Sequence, residues 1–138
     1  MSQTAEDQKL TPAQASLLEQ KYFAVVTTLM ADGSPQSTVV WVDTDGENAL
    51  FNTARGRLKT RNLERDPRIS LAIVDHSEPY AKLIVIRGRA ELIDDGADAN
   101  IDKLAKKYIG QDVYPWRQPN EQRVIVKIHA EKITGPME

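Results

Sequence analysis

The residues best placed to do chemistry are cations crowded into one stretch. From Arg55 to Arg68 the chain carries six basic residues (Arg55, Arg57, Lys59, Arg61, Arg65, Arg68) and two acidic ones (Glu64, Asp66), a local charge of +4. The whole chain is formally −2, so the remainder sums to −6. An acidic protein that gathers positive charge into one short segment has the material for binding a small anion there. The local order fits: an apolar run ends at Phe51, a turn containing Gly56 follows, and a helix-compatible segment runs until Pro67 stops it. A helix start presents free backbone N–H groups and a partial positive charge, so Arg57, Lys59 and Thr60 around it would make a phosphate seat. The competing reading is a solvated face, because Arg57, Arg61 and Arg65 fall at i, i+4 spacing with Glu64 available for pairing.

The elements that must position this segment read mostly as strands. Thr11-Pro12 predicts a helix N-cap and first helical position, leading a short amphipathic helix through Gln20. Residues 1–10 are polar and expected to be loose. Tyr22 to Met30 is β-branched and aromatic, Ala31 to Pro35 turns the chain, and Gln36 to Asp43 returns as its hairpin partner. Asp45-Gly46 marks a tight turn before a third strand over Ala49 to Thr53. Beyond Pro67, Arg68 to Asp75 and Tyr80 to Ile93 read as strands, with Gly88 as a bulge or a point of close backbone approach. Asp95 to Ile109 returns to helical spacing, with Ala99, Ile101, Leu104, Ala105 and Tyr108 expected inside and Asp98, Asp102, Lys103, Lys106 and Lys107 facing water. Gly110 ends it. Gln111 to Gln122 is a loop that holds Trp116 between Pro115 and Pro119, and Arg123 to Ile133 closes the chain as a strand. Antiparallel strands joined by short turns and interrupted by short helices predict a mainly β, α+β architecture, a small β-barrel, over residues 11–138 as one domain.

Composition narrows the function. At 138 residues with 41% apolar and 28% charged residues, the chain has the makings of an ordinary globular domain. No apolar run is long enough to span a membrane, and the acidic N-terminus argues against a secretory leader. There are no cysteines, so thiolate metal sites and a cysteine nucleophile are absent, and a reducing cytoplasm is the expected compartment. One compact basic patch on an acidic chain argues against a nucleic-acid groove. His76 and His129 lack neighbours spaced as metal ligands, which favours structural or surface roles. No nucleophile elbow, phosphate-binding P-loop or dinucleotide fingerprint is present. A barrel with an anion seat and no tuned acid, base or nucleophile suits chemistry that resides in a bound cofactor.

Asp32-Gly33-Ser34-Pro35-Gln36, Val39-Val40-Trp41-Val42, Phe51-Asn52-Thr53, Arg57-Leu58-Lys59-Thr60-Arg61-Asn62-Leu63-Glu64-Arg65-Asp66-Pro67-Arg68 and Arg87-Gly88-Arg89-Ala90 together resemble the split-barrel flavin and deazaflavin oxidoreductases related to pyridoxamine 5′-phosphate oxidase. The nearest resemblance is to the branch that uses the deazaflavin coenzyme F420. It implies a six-stranded antiparallel split β-barrel with short flanking helices, a homodimer, and cofactor sites at the subunit interface. It places Arg57, Lys59 and Thr60 on the cofactor phosphate, and Asn52, Thr53 and the backbone of Ser37, Thr38, Val39 and Val40 near the ring and side chain. Trp116, in its Pro-flanked loop, is a further candidate: it either walls the cofactor or packs on its own barrel. The implied activity is hydride transfer from reduced F420 to a small unsaturated or quinone-like acceptor. The alternatives are an FMN-dependent oxidoreductase and a non-catalytic flavin- or haem-binding protein. Pyridoxamine phosphate oxidases proper carry a basic C-terminal substrate clamp; this chain ends Ile133-Thr134-Gly135-Pro136-Met137-Glu138, which argues against that specific activity.

Overall fold

Alternation of apolar and polar residues at period two makes most of this chain into strands, each with one face committed to a shared interior. The computed structural model describes residues 7–136. In chain order its elements are α1 (Pro12–Glu19), β1 (Phe23–Leu29), β2 (Pro35–Thr44), β3 (Ala49–Ala54), α2 (Leu58–Arg65), β4 (Arg68–Val74), β5 (Leu83–Ile93), α3 (Ala97–Ile109) and β6 (Arg123–Thr134). The strands close antiparallel in the order β1-β2-β3-β6-β5-β4, a six-stranded split β-barrel. Ala24 and Val26 of β1, Ile69, Leu71 and Ile73 of β4, and Ile84 and Ile86 of β5 point inward, meeting Phe51, Val126 and Ile128. Thr11 caps α1 through a reciprocal pair with Gln14, and Leu17 and Leu18 of that helix plug the interior.

Gly88 does both things its place in a strand pattern suggested. The β5–β6 register shifts between Arg87 and Gly88, and a Cβ at residue 88 would lie 2.1 Å from the His129 carbonyl oxygen. No side chain fits there. At the N-terminus, residues 1–6 lie outside the described residues, but the expected looseness does not extend to residue 10. Gln8 N–H donates to the Ala130 carbonyl at 2.8 Å, Ile133 N–H donates to the Gln8 Oε1 at 2.8 Å, and Leu10 is buried in the core. None of the described helices is long and apolar enough to cross a membrane.

In α3 the buried face is Ala97, Ile101, Leu104, Ala105 and Tyr108. Ala99, expected inside, is exposed, because it lies two residues, about 200° of helical turn, from Ala97. Lys107, expected in water, sits at the edge of the buried stripe. Its Nζ donates to the carbonyls of Leu18 at 2.6 Å and Val42 at 2.7 Å, tying α3 to the C-terminal turn of α1 and to β2. Loss of hydration, above all, lowers its pKa from 10.5 to about 8, with Lys103 pushing the same way and Asp43 and Glu19 opposing. Between those two values the unfolded chain holds a proton that the folded protein has released, so Lys107 makes stability rise with pH across that window. Denaturation curves for the wild type and Lys107→Met should therefore diverge in the wild type's favour as pH rises from about 8; parallel curves would mean that the amine is hydrated.

Candidate functional site

Part of one edge of β2 has no strand partner. β2 pairs with β1 from Pro35 to Trp41, but β3 takes up only Val42, Asp43 and Thr44 of it. The remaining edge faces α3 and the start of α2 across a cleft of ≈ 150 Å³ lined by Val39, Val40, Trp41, Asn52, Arg57, Lys59, Ile101, Leu104, Tyr114, Trp116 and Arg123. Its lining divides into a cationic end and an aromatic wall.

The cationic end is built on the N-terminus of α2. Arg57 is the N-cap residue, and no side chain caps this helix, so its first-turn amides keep donors available. Lys59, two residues on, is half-buried and pairs with no carboxylate or other acceptor among the described residues. Lost hydration, then the charges of Arg57 and Arg123, lower its pKa below 10.5. A desolvated ammonium beside two guanidinium groups is electrostatically unsatisfied, which is what an anion site looks like before its anion arrives.

Arg123, at the first residue of β6, is the cation that local sequence did not reveal. Its side chain is only 3% exposed. Its Nε donates to the Asn52 Oδ1 at 2.9 Å, and its guanidinium lies 5.1 Å from the centre of the Tyr114 ring. Asn52 is held in turn, its Nδ2 donating to the Ala97 carbonyl and to the Asn100 Oδ1, both at 2.9 Å. Asn100 Nδ2 donates to Asp43 at 3.1 Å, and Lys103 pairs with the same carboxylate at 3.1 Å. This buried chain fixes Asn52 and, through it, Arg123. Glu121 joins the two arginines from the other side, 3.2 Å from Arg123 Nη1 and 3.7 Å from Arg57 Nη2.

The aromatic wall starts from Trp41. Its ring stacks on Tyr108 with centroids 5.3 Å apart and planes 6° from parallel, and it meets the edge of Tyr114 at 6.1 Å. Trp116 packs against Trp41 at 6.3 Å and Tyr114 at 5.8 Å yet remains 56% exposed. Tyr108 is anchored by its hydroxyl, which donates to the Tyr22 carbonyl and accepts from Val42 N–H at 3.1 Å.

Of the residues singled out in the sequence, Val39, Val40, Asn52, Arg57, Lys59 and Trp116 line the cleft together. Trp116 packs on Trp41 and Tyr114 and also lines the cleft. Ser37 and Thr38 lie further along the free edge of β2 and outside the lining. Ser37 shares a 2.8 Å hydrogen bond with Thr27, and Thr38 is on the inward face. Thr60 does not present its side chain to the cleft. It is fully buried, and its hydroxyl donates to the Ala54 carbonyl at 2.8 Å and lies 3.3 Å from the hydroxyl of Thr53, itself buried. The reason is helical phase: Thr60 and Leu63, three apart, share the face of α2 turned to the barrel. Neither histidine lines the cleft: His76 meets the Tyr22 ring, and His129 lies between Asp7 at 3.0 Å and Glu91 at 2.7 Å.

Known proteins resemble this chain in sequence and fold. A protein 27% identical over 132 residues, an F420H(2)-dependent biliverdin reductase of Mycobacterium tuberculosis, aligns with 92% of this chain and 88% of its own length. A solved structure of an F420 reductase superposes with a TM-score of 0.76 at 27% identity, covering 91% of this chain and 98% of that one. General Stress Protein 26 of Bacillus anthracis, 17% identical, shares the fold with a TM-score of 0.64 over 87% of this chain and 88% of its own. The family model of pyridoxamine 5′-phosphate oxidase matches residues 10–135. That match runs from the first core residue, Leu10, past the end of β6, and it takes in the free edge of β2, the cationic start of α2 and Arg123: the chain belongs to the pyridoxamine 5′-phosphate oxidase family.

Proposed function

We propose that the cleft holds the deazaflavin coenzyme F420 and that the protein is an oxidoreductase, passing hydride from reduced F420 to a small unsaturated or quinone-like acceptor. The observation that carries this reading is Lys59, a half-buried cation with no partner among the described residues, at the start of α2 and facing an aromatic wall across one cleft. Two relatives of similar sequence, the biliverdin reductase and the F420 reductase, bear F420 in their names. The donor set suits a phosphate joined to a flat ring: cations and helix amides at one end, Trp41, Tyr114 and Trp116 at the other. Fluorescence titration with F420 and with FMN tests the choice of cofactor. Tighter binding of F420 is expected, and a preference for FMN would overturn the deazaflavin assignment.

When bound, the reduced deazaflavin supplies the hydride. The lining offers cations, an amide and aromatic rings, and no carboxylate, thiol or imidazole. The chain's own contribution is therefore to hold the phosphate, orient the ring and exclude water. Misplacing reacting groups by ~1 Å can cost about a hundredfold, so the wall residues matter for turnover. Trp116→Leu should lower turnover by roughly tenfold or more with F420 affinity and thermal midpoint little changed, since much of the ring is already in solvent. If the midpoint falls while turnover per folded molecule holds, Trp116 is only packing.

The protein acts in this reading as a homodimer with cofactor at the subunit interface. Ligand pockets usually enclose ≈ 300–1,000 Å³, and this cleft, at ≈ 150 Å³, is half a site. Its rim is also apolar and open, with Val39 65% exposed. A second copy laid against that rim would supply the missing wall.

A further inference from the structure

Glu121 is an unusual neighbour for an anion site. Its side chain is 7% exposed, and it sits against two of the three cations that an incoming phosphate needs. Its contact with Arg123 is close but misaligned. The Glu121 Oε1 and Arg123 Nη1 lie 3.2 Å apart, within ion-pair range, yet both are buried atoms without a hydrogen bond. Arg123 lines the cleft, and a buried guanidinium N–H without an aligned acceptor is a donor waiting for one. The Glu121 contact with Arg57 is longer still, at 3.7 Å. With Arg57, Lys59 and Arg123 positive and Glu121 negative, the seat carries a net charge of +2.

We propose that Glu121 is a resident counter-anion: it offsets part of the charge of Arg57 and Arg123 in the free protein and competes with an incoming phosphate for them. Arg123 is then the third cation of the seat, its planar fork held by Asn52 so that Nη1 can exchange an ill-aligned carboxylate for a phosphate oxygen. The same loop carries Trp116, so phosphate binding is reported by tryptophan fluorescence. This deepens the phosphate-seat part of the proposed function, but it can be tested without F420.

The probe is inorganic phosphate at matched ionic strength, read by tryptophan fluorescence and by the thermal midpoint. Removing a carboxylate a few ångströms from a bound anion at an intermediate effective dielectric should tighten phosphate binding roughly tenfold. Glu121→Gln is therefore expected to bind phosphate about ten times more tightly than the wild type and to gain more thermal stability from it. Arg123→Gln is expected to bind it at least tenfold more weakly. Unchanged or weaker phosphate binding in Glu121→Gln would overturn the proposal, because a residue that merely brackets the arginines can only lose affinity when neutralised. If Glu121→Gln does not fold, Glu121→Asp, whose shorter carboxylate withdraws from both arginines, should shift phosphate affinity the same way by a smaller factor, and no shift would overturn the proposal. If the wild type binds neither F420 nor FMN while Glu121→Gln still tightens on phosphate, the counter-anion stands and the cofactor assignment falls.

Discussion

Lys59→Ala should weaken F420 binding at least tenfold while the thermal midpoint holds or rises. A charge-assisted hydrogen bond to phosphate is worth about 1.5–3 kcal/mol, and Lys59 has no partner among the described residues that its removal would orphan. In the free protein its charge is a burden, since lost hydration and the neighbouring charges of Arg57 and Arg123 all disfavour it. Alanine is also the better helix former. The opposed signs, affinity down and stability level or up, separate a binding residue from a structural one. There is a pH consequence. The pKa of Lys59 lies below the ordinary 10.5, so the charge that grips phosphate is complete on the acid side and is lost, as pH rises, sooner than from an exposed lysine. Wild-type affinity should fall on the alkaline side, whereas Lys59→Arg, which stays charged, should hold its affinity there. An unchanged dissociation constant for Lys59→Ala would place the phosphate elsewhere.

What the sequence made legible is what local chemistry decides. Thr11-Pro12 marks the start of α1 because a helix cap is local, and the capping box found there, Thr11 with Gln14, spans only four consecutive residues. Gly88 stands out because a glycine in an apolar strand has few reasons to be there. Arg57 and Lys59 are visible because a charge window detects cations close together in the chain. Arg123 escapes the same window: it joins them only because β3 and β6 pair side by side, from Ala49 with Ile128 to Ala54 with Arg123. Its clues, a charged residue opening an apolar strand and Glu121 two residues before it, are too common to single it out. Thr60 shows the converse limit. Its position near the helix start suits a phosphate ligand, but its rotational phase turns its hydroxyl to Ala54 and Thr53, and phase depends on where the barrel lies. Lys107 is misread for a related reason, because the two carbonyls that hold it belong to α1 and β2, far away in sequence.

Val25→Glu should leave a folded barrel that sediments as a monomer and has lost F420 binding by more than Lys59→Ala does. The outer surface of the barrel carries an apolar row in register across four strands: Val39 beside Val25, Val25 beside Ala72, and Ala72 beside Val85. Phe23 beside Trp41 extends it toward the cleft. Val25 and Phe23 are 43% and 45% exposed, more apolar surface in one patch than an isolated strand pair needs to show. A carboxylate there costs the single chain little, on the order of 1 kcal/mol or less at an outward strand position. In a two-fold interface the same change appears twice and buries two unpaired charges, each costing several kcal/mol. Val25 does not line the cleft, so loss of F420 binding in this variant would come through loss of the partner and not of a direct contact. Val25→Ile, which keeps the surface apolar, should sediment and bind as the wild type does. Sedimentation velocity with a parallel fluorescence titration decides the matter: a Val25→Glu monomer that binds F420 with undiminished affinity would show that one chain makes a complete site, and that the open rim at Val39 faces water.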